Sequence, residues 1–168
     1  RKPRPDEIDG KDYHFTNIEK FNSLIKEKEF FEYAKIFDNF YGTSRKSVLA
    51  LLEQGNDVLF DIDWQGTQQL KKIGDLPMVT IFILPPDINV LKNRLLNRHK
   101  GQSALIENRM KKFNEEVSHW NEYNYVVIND DLNICYDTII NIILSEKKGI
   151  SQKQNLDKIK KKIEELIK

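Results

Sequence analysis

Five arginines and two carboxylates set the chemistry open to this chain. Arg94 and Arg98 stand four residues apart within a helical pattern, and Arg109 follows "HKGQSALIEN" at the opening of the next helical stretch. Like charges at that spacing repel by roughly 0.2–0.5 kcal/mol, a cost that a bound polyanion would more than reverse, and phosphate is the obvious candidate. A solvated basic face that also carries Lys92 and His99 is the blander reading. Arg1 and Arg4 form a second pair in a loop stiffened by Pro3 and Pro5, with Tyr13 soon after, although loop arginines commonly face only solvent. Asp61 and Asp63 end the apolar run of "DVLFDIDWQG", residues 57–66. With a strand's period of two they share one face, and Val58, Phe60 and Ile62 take the other. Ligands of open α/β sheets bind beyond the carboxyl ends of strands, where such acids would sit. Capping of a helix near Trp64 by Asp63 and pairing of Asp61 with a surface lysine would explain the same residues. The acids alone decide nothing.

The elements that must position these groups are legible in part. "KDYHF" reads as a short strand, and Thr16 with Glu19 has the spacing of a capping box. A helix should follow, with Ile18, Phe21, Leu24 and Ile25 on its apolar face and its end near Lys28. "EFFEYAKIFDNFYGTS" suggests two antiparallel strands with a tight turn around Asp38 and Asn39, and "SRKSVLALLEQG" a helix stopped by Gly55. From Asp57 onward, "VLFDI", "MVTIFIL" and "YVVI" are short apolar runs. They alternate with helical segments at about 64–73, 87–98, 103–121 and 132–145. That is the pattern of a parallel sheet covered on both faces, hence an α/β fold. In the tail, Leu156, Ile159, Ile163 and Ile167 predict an amphipathic helix that packs on the body or on another chain.

Composition bounds the rest. A chain of 168 residues, 39% hydrophobic and 32% charged, suits one soluble domain with a substantial core. A net charge of +1 with interspersed signs calls for neither a nucleic-acid nor a membrane partner, so any anion site must be local. The longest apolar runs fall far below the roughly 20 residues of a membrane helix, and no signal-peptide pattern opens the chain. With a single cysteine, Cys135, excluding an internal disulfide, a cytoplasmic location is the expectation. The chain opens "RKPRPDEIDG" with methionine only at 78 and 110, so a processed, truncated or partly observed product is expected, with a strand and helix upstream.

The ordered blocks "RKPRPDEIDGKDYHF", "EFFEYA", "NFYGTS", "VLFDIDWQG", "FILPP", "LKNRLLNR" and "VVINDDL" resemble bacterial guanylate kinase over about residues 1–145. The resemblance implies a kinase that moves the terminal phosphoryl group of ATP, with Mg2+, onto GMP. The implied fold is a P-loop NTPase-like parallel sheet core flanked by helices, with a small mixed α+β GMP-binding domain and a helical lid. The domains would be residues 1–55 for GMP binding, 56–91 and 113–150 for the core, 92–112 for the lid, and 151–168 for a C-terminal helical extension.

The same resemblance implies site residues. Arg1 and Arg4 would grip the GMP phosphate, and Tyr13 and Tyr41 would donate hydroxyls to it. Glu32 would read guanine by accepting from N1–H and the 2-amino group, with Thr43 completing the base contacts. Asp63 would lie at the GMP end of the site and Asp61 near magnesium and phosphate, with no residue directly assigned as a metal ligand. Arg94, Arg98 and Arg109 would reach the transferring phosphoryl group from lid and hinge, and Asn129 would lie beside the adenine of ATP. Taken without the resemblance, Tyr13 and Tyr41 read as packing residues, Glu32 as a surface acid, Thr43 as a plain strand residue and Asn129 as a strand-end turn.

The sequence departs from the family pattern in three places. No G-x-x-x-x-G-K-[ST] occurs between Arg1 and Lys168, and the resemblance implies that this loop lies upstream of "RKPRP", with a serine that helps read guanine. Asp6 stands where the family often has glycine, and His99-Lys100 follow Arg98 where a glycine is common. A catalytically inactive guanylate-kinase-like binding module is the competing reading. Such a module needs no ATP side, so Arg94, Arg98, Arg109 and Asp61 favour the enzyme. A nucleic-acid binder fails for want of a basic stripe. GMP and ATP are the expected small-molecule partners, and the C-terminal helix is the surface through which a homo-oligomer would form.

Overall fold

The aromatic-rich stretch forms its hairpin. β1 (Phe30–Ile36) and β2 (Asn39–Ser44) pair antiparallel, joined by Phe37 and Asp38, with Phe37 at φ +49° as a tight two-residue connection requires. The ladder slips between Phe30 and Glu32, and that irregularity brings Glu32 opposite Thr43. Three helices accompany the hairpin: α1 (Ile18–Lys26), α2 (Arg45–Glu53) and α3 (Trp64–Ile73). Phe21 of α1 is buried with its ring centroid 4.7 Å from that of Phe30 and 5.5 Å from that of Phe40. α3 packs on β1, and the Gln69 amide accepts from Tyr33 N–H at 3.1 Å and donates to Tyr33 C=O at 2.6 Å. That one side chain satisfies both backbone polar groups of a strand-edge residue.

The computed structural model describes residues 1–74, 76–98 and 103–167, in two compact units, Arg1–Leu76 and Pro77–Lys168. In the second unit, β3 (Ile81–Leu84) and β4 (Tyr125–Ile128) pair in parallel. Between them in the chain come α4 (Ile88–Arg98), α5 (Ser103–Ser118) and a 3-10 turn at Trp120–Glu122. After them come α6 (Leu132–Lys147) and α7 (Leu156–Leu166). Alternation along β4 divides its side chains between two cores. Val126 joins Leu84, Phe113, Val117, Ile159, Ile163 and Leu166, while Tyr125 and Val127 join Cys135 and Ile142. A strand covered on both faces is what its continuous apolar run required.

Several expectations need correction. "KDYHF" is not a strand: Asp9 and Tyr13 form an isolated bridge around a turn with Gly10 at φ +78°. The Asp12 carboxylate accepts from Ile8 N–H at 2.8 Å and the Asp9 carboxylate from Phe15 N–H at 2.8 Å. Short acidic side chains that capture nearby amides compete with strand ladders. The first helix is capped by Asn17 rather than Thr16, its side chain accepting from Lys20 N–H at 2.8 Å, and it ends at Lys26 rather than Lys28. The run "VLFDI" carries no strand pairing, and Leu59 is 87% exposed. High β-propensity makes no strand unless a neighbour supplies the ladder. Among the described residues the parallel sheet therefore has two strands, not three. On α7 the buried face is Ile159, Ile163 and Leu166, while Leu156 and Ile167, both expected on it, are exposed. That face packs on its own unit, which accounts for the apolar stripe without a second chain. The departure at His99 and Lys100 lies outside the described residues.

The approach to α7 is latched to β4. The Gln154 amide accepts from Val126 N–H at 2.8 Å and donates to Val126 C=O at 2.9 Å, repeating at β4 the device of Gln69 at β1. The buried Tyr125 hydroxyl accepts from Gln152 N–H at 2.9 Å and donates to the Glu146 carboxylate. Gln154→Ala leaves both backbone polar groups of Val126 without these partners, so unfolding in urea should show a loss of about 1–3 kcal/mol with an unchanged m-value.

Candidate functional site

Three groups of the expected residues can be followed from their elements upward. The first lies on the hairpin and α3. Glu32 is only 4% exposed, which sets aside its reading as a surface acid. Thr43 Oγ1 donates to Glu32 Oε1 at 2.5 Å, across the pair that the ladder slip creates. On the opposite side of the carboxylate lies Gly66, where a Cβ would meet Glu32 Oε2 at 2.6 Å. Any larger residue would displace the carboxylate, so this glycine gives Glu32 its room. Asp63 caps α3, one carboxylate oxygen accepting from both Gln65 N–H and Gly66 N–H at 3.1 Å, and Gln65 Nε2 donates to the other at 3.0 Å. The capping alternative for Asp63 thus holds, and the cap is also what sets Gly66 against Glu32. Burial raises the Glu32 pKa above the ordinary carboxylate range. Thr43 opposes the shift through its hydrogen bond, and the negative charge of Asp63 adds to it.

The second group lies beside the leading loop. Arg1 stacks over Tyr13, with its guanidinium carbon 5.0 Å from the ring centroid, and over Phe15 at 5.7 Å. Tyr13 in turn meets Tyr41 edge-on at 6.3 Å. Tyr41 and Thr43 are two apart on β2 and share a face, so one strand carries members of both groups. A residue the sequence reading passed over organises the arginines. Glu7 accepts from Arg1 Nη1 at 2.7 Å and Nη2 at 2.5 Å, from Arg4 N–H at 2.7 Å and from Arg4 Nη1 at 3.4 Å. These donors, Arg1 foremost, hold its carboxyl down to about 2 and raise the Arg1 pKa in return. An acid three residues beyond Arg4 was the available signal; Gly66, inside the quoted "DWQG", was the other.

The third group belongs to the second unit. Arg94 of α4 donates to the carbonyls of Asn129 at 2.9 Å and Asp130 at 3.3 Å, just past the carboxyl end of β4. Arg94 and Asn129, expected to act on one nucleotide, are thereby in contact. An open groove of about 620 Å³ adjoins them, lined by Pro86, Ile128, Asp130 and α7 lysines 158, 161 and 162. Arg98 lies exposed one turn beyond Arg94, and Arg109 lies half-buried on α5. Asp61 is exposed and makes no ion pair among the described residues. A free carboxylate suits magnesium, which is typically held by one or two carboxylates together with substrate phosphates. Among the described residues no cluster of three or more His, Cys, Asp or Glu side chains could hold a metal by itself. No described helix is long and apolar enough to cross a membrane.

Comparison with known proteins gives one answer. The family model described as guanylate kinase matches residues 1–146. A curated guanylate kinase from Rickettsia bellii is 49% identical over 148 residues, covering 88% of this chain and 77% of its own length. One from Paramagnetospirillum magneticum is 46% identical over 147 residues, covering 88% and 69%. The crystal structure of guanylate kinase from Anaplasma phagocytophilum superposes with a TM-score of 0.74 at 35% identity, covering 87% of this chain and 71% of that one. That likeness agrees with the α/β class and with a P-loop kinase fold.

Burial of Glu32 has a consequence for stability with a definite sign. Its folded pKa is raised, so its favourable contribution is full below the unfolded value of about 4.5 and is lost as pH rises through the folded value. Glu32→Gln keeps an acceptor for Thr43 without the charge. Relative to the parent, its stability should increase as pH is raised from 4.5 and then level off. A pH-independent difference in denaturant midpoints would contradict this account of the carboxylate.

Proposed function

The chain belongs to the guanylate kinase family, and from that membership and the site we infer its reaction: transfer of the terminal phosphoryl group of ATP to GMP, giving GDP and ADP. The observation that carries the substrate assignment is the Glu32 carboxylate, buried on the hairpin with a hydroxyl on one oxygen and a glycine against the other. A carboxylate so placed accepts from the N1–H and 2-amino donors of guanine. Adenine offers no donor pair there, so its binding would leave a buried charge unpaired.

In this reading Arg1 and Arg4 take the GMP phosphate through guanidinium donors, and Tyr13 and Tyr41 add neutral hydroxyls from beside Arg1. Thr43 and Asp63 complete the base end. Asn129 lies by the adenine, with Arg94 bracing its carbonyl. Residues 1–55 then form a GMP-binding domain, 92–112 a lid, and 56–91 with 113–150 a P-loop NTPase-like core. Asp61 is the residue offered to Mg2+, which when bound neutralises phosphate charge. Phosphoryl transfer needs little covalent help. The work of Arg94, Arg98 and Arg109 is to stabilise charge on the transferring group while the lid excludes water.

Glu32→Gln should reduce the preference for GMP over AMP by roughly a hundredfold or more in competition assays. An unchanged preference would remove Glu32 from the base site. Arg94→Ala should lower kcat on the order of a hundredfold while GMP affinity, measured by calorimetry, stays near that of the parent. A change confined to GMP affinity would contradict its role on the donor side.

A further inference from the structure

Glu7 is the acid bound to both arginines assigned to the GMP phosphate, and nothing in the reaction above uses it. Among the described residues, its carboxylate takes four polar contacts, all from Arg1 and Arg4. The engagement is unequal. Arg1 is held by both terminal nitrogens, its side chain 14% exposed and stacked against two rings. The Arg4 guanidinium touches Glu7 only at 3.4 Å and is 52% exposed, while its backbone N–H is firmly bound at 2.7 Å.

Two opposite roles are compatible with an anion in that position. One is a stand-in that phosphate must displace, but the link of Glu7 to the Arg4 amide argues against it. Glu7 N–H also donates to Arg4 C=O at 3.1 Å, so the side chain and the backbone of residue 7 both close the same turn. Swinging the carboxylate away would open the loop that presents Arg4. The three groups together carry one surplus positive charge, and most donors of the Arg4 guanidinium remain open to a phosphate. We infer that Glu7 is a positioning residue: it fixes the Arg1 side chain and the backbone turn that presents Arg4 before substrate arrives, so that GMP meets a grip whose loop and first arginine are already ordered. The inference rests on the reading of these arginines as the phosphate grip. Because Glu7 stays ionised well below neutral pH, the device works across the whole range in which a nucleotide kinase operates.

The test compares GMP with guanosine, which carries the same base and no phosphate, by calorimetric titration of the parent, Glu7→Gln and Glu7→Asp. Glu7→Gln should weaken GMP binding roughly tenfold and leave guanosine binding unchanged. Glu7→Asp, charged but too short to bridge both arginines, should fall between. Tighter or unchanged GMP binding in Glu7→Gln would overturn the inference, as would an equal loss for both ligands, which is the mark of a merely structural role. If Glu7→Gln does not fold, the Glu7→Asp comparison carries the same two outcomes. A parent that binds guanosine as tightly as GMP would instead remove the phosphate grip itself, and Glu7's role with it.

Discussion

A carboxylate taken out of water sits at the centre of the first unit. Desolvating Glu32 costs free energy that the Thr43 hydroxyl only partly offsets, and the negative Asp63 adds to the cost. Such a residue would be a poor choice for stability alone. Its surroundings nevertheless converge on keeping it in place. The ladder slip in the hairpin sets it opposite Thr43, the Asp63 cap starts α3 where Gly66 can lie against it, and Gln69 holds α3 to β1. The constraint makes sense if the missing partner is the substrate, whose donors replace the water the carboxylate gave up.

The leading loop applies the opposite electrostatic logic. There two cations share one anion, so the group is under-neutralised and awaits further negative charge, whereas the Glu32 site is over-supplied with negative charge and awaits donors. A nucleotide monophosphate carries both complements, a dianionic end and a donor-rich base edge. β2 carries Tyr41 and Thr43 on one face, so under the proposed reading the hairpin's pleat would space the phosphate and base contacts.

A different economy appears at the strand edges. Gln69 at Tyr33 and Gln154 at Val126 each present an amide that donates to and accepts from the backbone of a single residue. Each imitates a further strand for a single residue, where an added strand would need a whole ladder. Both lie on chain segments that return to the strand from later in the sequence, so neither pairing has a local signature.

What the sequence determined by itself was whatever depends on near neighbours. The period of α3 placed it at 64–73 without error, the aromatic run and Asp38-Asn39 marked the hairpin, and Gly55, at φ +78°, followed α2 as its stop. The family blocks marked Glu32, Thr43, Tyr13, Tyr41 and the arginines as the residues expected to form a site. Tertiary structure alone decided which of them are buried, paired or braced. The run at 57–62 had the composition of a strand and found no ladder. Thr16 had the spacing of a cap and lost to Asn17, while Ile167 had the period of α7 and faces solvent. Glu7 carried no assignment of its own until the loop folded both arginines onto it. Propensity and periodicity act within a few residues and can be read along the chain. Desolvation, ladder pairing and ion pairing depend on what is brought alongside from elsewhere, and only the folded chain fixes that.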